Sequence, residues 1–292
     1  CIIWTKLLQT TFTIKLYLQD CARIYVYFPP MDLVLFQIDA FTKHVFSGNP
    51  ACVVMLDSWL PDSTLLKIAA ENAVAETAFL VEQAGGFHLR WFTPEIEMDL
   101  CGHATLASGH AVLHHLHPDW DNVSFDTVSG PLLVHKEHEG YRMDLPNRPP
   151  VSCSLPLEIA NALNVQPTNI MKARDFVLIY PNEDAVRNIT INPSIFDQIN
   201  LGTGGVIVTA PGDHCDFVSR FFTPQASILE DPVTGSAHCS LAPYWSKVLG
   251  KTELSAQQLS SRGGILHCRL TGDRVHLIGE AVTYLQGTIL LE

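Results

Sequence analysis

The sequence has no Cys-x-x-Cys pair, no complete G-x-G-x-x-G loop and no run of about 18 uninterrupted apolar residues. Each absence excludes a class. Its eight cysteines are scattered from Cys1 to Cys268, which fits neither a zinc ribbon nor a compact disulfide scaffold. Dispersed thiols of this kind point to a reducing cytoplasm, where most pack as small apolar side chains. Without a long apolar run, no transmembrane helix is expected. Gly202-x-Gly204-Gly205 is only half of a dinucleotide loop and reads as a turn into a strand at 206–210. Basic residues are also scarce: 18 Lys and Arg stand against 30 Asp and Glu, for a net charge of -12. Such a chain suits neither nucleic acid nor an anionic membrane surface, and local donors would have to capture any small anionic substrate.

With 292 residues, 47% of them hydrophobic, the chain can bury one large core or two medium ones. Residues 1–30 lack the basic, apolar, small-residue order of a signal peptide and read as an extension ahead of a start at Met31, although 12–16 alternates like a strand. From Met31 short strands alternate with helices. Strands are expected at 33–39 and 51–56, a helix at 62–75, a hairpin at 77–82 and 87–92, and a helix from 103 to about 116. Further strands follow near 123–127, 132–136 and 141–145. Pro146, Pro149, Pro150 and Pro156 mark a crossover, which divides the chain into domains at 31–146 and 147–292. Beyond it come a helix at 157–163, strands near 176–180, 206–210 and 216–222, a helix at 234–249, and closing strands at 265–270, 274–279 and 282–291.

One repeat organises this order. Arg90-Trp91-Phe92-Thr93-Pro94 recurs as Arg220-Phe221-Phe222-Thr223-Pro224, an offset of 130 residues (Arg90 to Arg220). Carried forward, the offset sets Cys101 opposite Asp231, each at the end of a loop before a helix rich in small residues. Two copies indicate a duplicated unit rather than a solenoid.

Helix N-termini bind anions through unpaired N–H groups. Thr234-Gly235-Ser236-Ala237 and Cys101-Gly102-His103-Ala104 would therefore converge on one cleft if the halves face each other. His103 at such a start is expected to be neutral, and Asp231 to be favoured as an anion. Glu76, after a helix ending near Ala75 and before an apolar run, is expected to have a raised pKa suited to proton transfer. Cys101 has two readings: a reactive thiol with a lowered pKa, or a small filler in contact with substrate.

Read together, Ile38-Asp39-Ala40-Phe41, Ser47-Gly48-Asn49-Pro50-Ala51, Ala75-Glu76-Thr77-Ala78-Phe79, Phe92-Thr93-Pro94, Cys101-Gly102-His103-Ala104 and Glu230-Asp231-Pro232-Val233-Thr234-Gly235-Ser236-Ala237 resemble the PhzF-like family of phenazine biosynthesis-like isomerases. The resemblance runs from about Met31 to the C-terminus. It implies a diaminopimelate epimerase-like α+β fold, with two pseudo-symmetric halves, each a sheet curled around a central helix. It also implies cofactor-free isomerisation of a small carboxylate and a homodimer. By matching positions, Glu76 would be the acid/base, and Gly102, His103, Asp231 and Ser236 would line the site. The candidate set is therefore Glu76, His103 and Asp231 as catalytic, with Asn49, Cys101, Gly102, Thr234, Gly235 and Ser236 as substrate-binding. In the phenazine enzyme the Glu matching Glu76 moves a proton on dihydro-3-hydroxyanthranilate.

The departures are informative. The epimerase relatives use two catalytic cysteines, and here a carboxylate is expected opposite Cys101, which disfavours a two-thiol racemase. The serine that usually precedes the catalytic Glu is Ala75, which puts the phenazine substrate in question. His103, His110 and His114 can share a helix face, but no carboxylate or thiol stands at a zincin-like spacing, and no metal is expected. Three readings stay open: a Glu76-dependent isomerase, an amino-acid racemase using Cys101, and a non-catalytic relative that binds a metabolite or partner.

Overall fold

The computed structural model describes residues 15–17, 25–27, 31–226 and 228–291. The expected extension at 1–30 and strand at 12–16 lie mostly outside them; within them, Lys15–Tyr17 pairs antiparallel with Tyr25–Tyr27.

From Met31–Ala40 the chain builds two runs of strands with one pairing scheme. In the first, Met31–Ala40 lies antiparallel to Asn49–Leu56, which runs parallel to Glu76–Gln83. Gly86–Phe92 comes next, antiparallel, followed by Asn122–Asp126 in parallel, then Leu132–Lys136 and Tyr141–Pro146, both antiparallel. In the second, Asn169–Lys172, Phe176–Ile179, Val206–Pro211, Phe217–Phe222, Glu253–Gln258, Gly264–Thr271 and Arg274–Gly279 repeat that alternation step for step. The final strands of the two runs join antiparallel, Tyr141 opposite Gly279. This is the epimerase-like α+β fold expected of the sequence, with the duplication visible in the hydrogen-bond ladders.

The chain also crosses between the halves. After its last strand the first half sends Val151–Ser152 onto Asn169–Lys172 at the edge of the second. The second half returns Ala281–Leu291 onto Met31–Ala40 at the edge of the first. A division at 146/147 therefore leaves the first half without its edge strand.

Each sheet curls around a helix. Gly102–His110 is buried at every position, which explains its lack of a polar face. Small residues let the sheet close on it: a Cβ at Gly109 would stand 2.5 Å from Val134 Cγ1. Past His110 the helix widens into a π turn over Ala111–Leu116, where an uninterrupted α-helix was expected. Its counterpart starts as a 3-10 turn, Gly235–Ala237, before the α-helix His238–Leu249. Pro243 inside that helix has no N–H for the Cys239 carbonyl, which instead accepts from Arg148 N at 2.9 Å. The proline-rich crossover is thereby stitched to the second central helix.

Two further clusters cover the outer sheet faces, one with helix Asp62–Asn72 and one with helix Leu157–Ala162. The first of these helices ends earlier than expected because Ala73 turns left-handed, at φ 52°. Among the described residues, no helix is long and apolar enough to cross a membrane.

His238, wholly buried, gives the core a pH dependence. Burial pushes its pKa down from 6.5 to about 4, opposed only by its Nδ1 bond to the Thr234 carbonyl at 3.0 Å. The folded state keeps it neutral while the unfolded chain takes up a proton near 6.5. Stability is therefore complete above that pH and falls as pH drops towards 4, by roughly 3 kcal/mol from this residue. Urea unfolding at pH 7 and pH 4 should show this loss, and His238→Gln should flatten it; an unchanged slope in the variant would refute the assignment.

Candidate functional site

Two equivalent loops deliver the starts of the two central helices against each other. In the first half Trp91 and Phe92 pair with Met98 and Glu97; in the second Phe221 and Phe222 pair with Asp231 and Glu230. Arg90 grips Glu97 at 2.6 Å, and Arg220 grips Glu230 at 2.7 Å. Each guanidinium also lies over the ring two residues on, Phe92 at 5.0 Å and Phe222 at 4.8 Å. The offset thus grows from 130 (Arg90 to Arg220) to 133 (Glu97 to Glu230), because the loop at 223–229 is longer than that at 93–96.

This corrects the expected correspondence. By symmetry Cys101 corresponds to Thr234, and Asp231 to Met98. The equivalent of the thiol is a hydroxyl, not a carboxylate. Gly102 and Gly235 meet where the helix starts abut: a Cβ on Gly102 would lie 3.4 Å from the Gly235 Cα.

Glu76 opens the strand Glu76–Gln83 beside Ala51, rather than ending a helix as expected. Its Oε2 is 3.1 Å from His103 Nε2, and among the described residues neither atom has a hydrogen-bond partner. They form a close electrostatic contact rather than a completed hydrogen bond. The Glu76 side chain keeps 16% of its surface exposed against 5% for His103, so the carboxylate is the accessible member.

Behind His103, the Asn49 amide bridges the halves. Its Nδ2 donates to Asp231 Oδ1 at 2.7 Å and to the Val233 carbonyl at 2.9 Å, and lies 3.1 Å from His103 Nδ1. Asn49 is wholly buried, so direct substrate contact gives way to a bridging role. Asp231 Oδ2 accepts a short bond from the Thr234 hydroxyl. Cys101 Sγ sits 3.5 Å from His103 Nδ1. Glu76, Asn49, Cys101, His103, Asp231 and Thr234 thus join in one network, with Gly102 and Gly235 packed against each other beside it.

The charges differ from expectation. Burial alone would lower the His103 pKa, but the adjacent Cys101 sulfur and the Glu76 carboxylate outweigh it and raise the value well above normal. Burial raises Asp231 above the usual carboxylate range, with Glu76 adding to the effect and His103 opposing it. His103 is therefore the cation-prone member, and Asp231 is disfavoured as an anion. Helix dipoles act weakly here beside full charges a few ångströms away. Cys101 is pushed up by burial and by Glu76, so the thiolate reading of this residue loses its basis. Glu76, Cys101 and His103 also bring one ligand-type atom each within 4.8 Å of one another. A protonated imidazole and an un-ionised thiol are poor ligands for a cation, which must displace both protons first.

Several site residues lie outside every sequence motif. Gln258 accepts from Thr234 N at 2.9 Å and donates to the Asp231 carbonyl at 2.8 Å, which fixes the second loop. Arg174 donates to Ser236 Oγ at 2.9 Å and aims that half-buried hydroxyl. Arg262 pins the 39–48 segment through Asp39 at 2.7 Å and the carbonyls of Ser47 and Gly48. No sequence signal marks Gln258 or Arg174: one ends a distant strand, and the other sits in the turn between Asn169–Lys172 and Phe176–Ile179.

Arg262→Met should cost about 2–3 kcal/mol by leaving buried Asp39 without its cation. Burial already raises the Asp39 pKa, against the pull of the Phe46 N–H and Arg262, so the penalty should shrink as pH falls and the carboxyl takes up a proton. Unfolding midpoints at two pH values would check this; a pH-independent loss would contradict it.

Comparison with known proteins agrees with this geometry. The sequence profile of the phenazine biosynthesis-like proteins matches residues 38–287. An uncharacterized isomerase of Pseudomonas aeruginosa is 44% identical over 261 residues, covering 89% of this chain and all of its own. The crystal structure of a PhzF-family phenazine biosynthesis protein from Enterococcus faecalis superposes with a TM-score of 0.85 at 43% identity, over 89% of this chain and 100% of that one. A hydroxyproline epimerase from Agrobacterium vitis shares the fold alone, with a TM-score of 0.57 at 9% identity over 89% of this chain and 93% of its own.

Proposed function

The chain belongs to the phenazine biosynthesis-like protein family, and we propose that it is a cofactor-independent isomerase that moves a proton on a small carboxylate-bearing metabolite. The observation that carries this reading is the Glu76 carboxylate: partly exposed, lacking a hydrogen-bond partner at Oε2, and 3.1 Å from a cation-prone histidine. The isomerase class also accords with the Pseudomonas aeruginosa relative, an uncharacterized isomerase.

In this mechanism Glu76 takes a proton from one carbon of the substrate and returns it to another. His103 offsets the charge as it moves. The N–H groups of Gly235 and Ser236 and the Ser236 hydroxyl, aimed by Arg174, hold the substrate carboxylate at the helix start. Asp231 and Asn49 fix His103 from behind, and Cys101 fills space beside it. The substrate itself would not be that of the phenazine enzyme, since Ala75 supplies no hydroxyl next to Glu76. A homodimer is part of the proposal, carried by family kinship.

The test is exchange in deuterated water over a panel of small unsaturated and α-substituted carboxylic acids. Enzyme-dependent deuterium incorporation is the expected result, and Cys101→Ser should retain it. No incorporation into any acid would favour a non-catalytic binder, and loss on Cys101→Ser would favour the racemase.

A further inference from the structure

Two backbone irregularities converge at the far end of the first central helix. The π turn over Ala111–Leu116, closed by His117 N bonding to the Val112 carbonyl at 2.7 Å, widens the helix there. In an ordinary α-helix His110 and His114 align while His115 points away; wider winding brings residue i+5 back beneath residue i. On the facing strand Ala281–Leu291, the register slips between Thr283 and Leu285, and such bulges re-aim side chains. The result is one polar knot. His110 Nε2 and His115 Nε2 both bond the Thr283 hydroxyl, at 2.8 and 2.7 Å. The His114 ring stacks on His110 with centroids 4.9 Å apart and meets His115 edge-on at 4.7 Å.

We propose that His110, His114 and His115, with the Thr283 hydroxyl beside them, form a binding site for a divalent first-row transition ion of the zinc class. One nitrogen from each imidazole lies within 4.8 Å of the others. Tetrahedral ligation at about 2.05 Å puts nitrogens about 3.4 Å apart, so small ring rotations close the set. Neutral imidazole is the ligating form. Burial, followed by the neighbouring histidines, pushes the His110 pKa down to about 3, and burial and His114 lower that of His115. The outer support that metal-bound histidines need is present, because His110 Nδ1 bonds the Tyr141 hydroxyl at 3.0 Å. Phe36 stacks on His115 at 4.8 Å and fixes its ring. His114 is exposed, which leaves a path for the ion and a position for water as a further ligand. The site lies two helical turns from His103, about 10 Å along the axis at 1.5 Å per residue, and owes nothing to the proton-transfer network.

The experiment titrates tag-free protein with Zn2+ against a chromogenic chelator, and separately with Co2+ to read its visible absorption. One equivalent should bind at micromolar concentration or below, with a tetrahedral or five-coordinate cobalt band. His115→Ala and His114→Ala should each weaken binding at least tenfold, the second at an exposed position where folding is not at issue. Cys101→Ser should leave binding unchanged. The proposal is overturned if the protein binds no Zn2+ at these concentrations. It is equally overturned if both histidine variants bind as the parent does, or if Cys101→Ser removes the ion and so locates it at Glu76 and His103.

Discussion

Glu76→Gln should lower enzyme-dependent deuterium exchange by about two to four orders of magnitude, the range that loss of a positioned acid/base produces. Glutamine keeps the length and volume of the side chain and leaves the strand pairing with Ala51 intact, so thermal stability should change little. The substitution also removes the carboxylate charge, one of the two neighbouring groups that raise the His103 pKa. The imidazole should then titrate at lower pH, a shift that NMR of the histidine ring reads without any substrate. Exchange that persists in Glu76→Gln, with the His103 titration unmoved, would remove Glu76 from both roles.

Asn49→Ala carries the second large effect. The amide spans the halves, and its loss leaves Asp231 Oδ1 and the Val233 carbonyl without their donor inside the protein. At about 1–3 kcal/mol for each stranded group, a destabilisation of roughly 3 kcal/mol is expected. Activity should fall as well, because His103 and Asp231 lose the link that sets their separation. Asn49→Asp separates the two causes. It puts a second carboxyl 2.7 Å from Asp231, and two such groups cannot both ionise at that distance. Their shared proton gives a folded-state pKa above the unfolded value, so this variant should be most stable at low pH and lose stability as pH rises. Urea unfolding from pH 4 to pH 8 measures it, and a flat profile would argue against the bridge.

The parts of this molecule legible in sequence were those written in contiguous residues. The Arg90–Pro94 repeat and the glycine-bearing helix starts announced a duplicated fold, and the alternation of apolar residues located most strands. The 130-residue offset failed only past Pro224, because a longer loop leaves no mark on the pattern around it. Glu253–Gln258 escaped notice because Leu254 and Ala256 are small signals and the third inward residue, Gln258, is polar. It is buried for the hydrogen bonds it makes to a loop far away in sequence. The charge states of His103 and Asp231 are illegible in sequence for a related reason. Local position suggested dipole control, whereas Glu76 and burial, both products of the tertiary fold, decide them. The widened turn that gathers His115 beside His110 has no sequence signature either.

The exchange of edge strands bears on how the chain is made. During synthesis, Met31–Ala40 leaves the ribosome well before its partner Ala281–Leu291, with the other strands of both halves emerging between them. Until then the N-terminal sheet presents an open row of backbone donors and acceptors, the kind of surface that recruits a neighbouring chain. A nascent chain stalled before Ala281 is therefore more than a shortened protein. It is one with an adhesive flank, and the arrival of Ala281–Leu291 is what seals it.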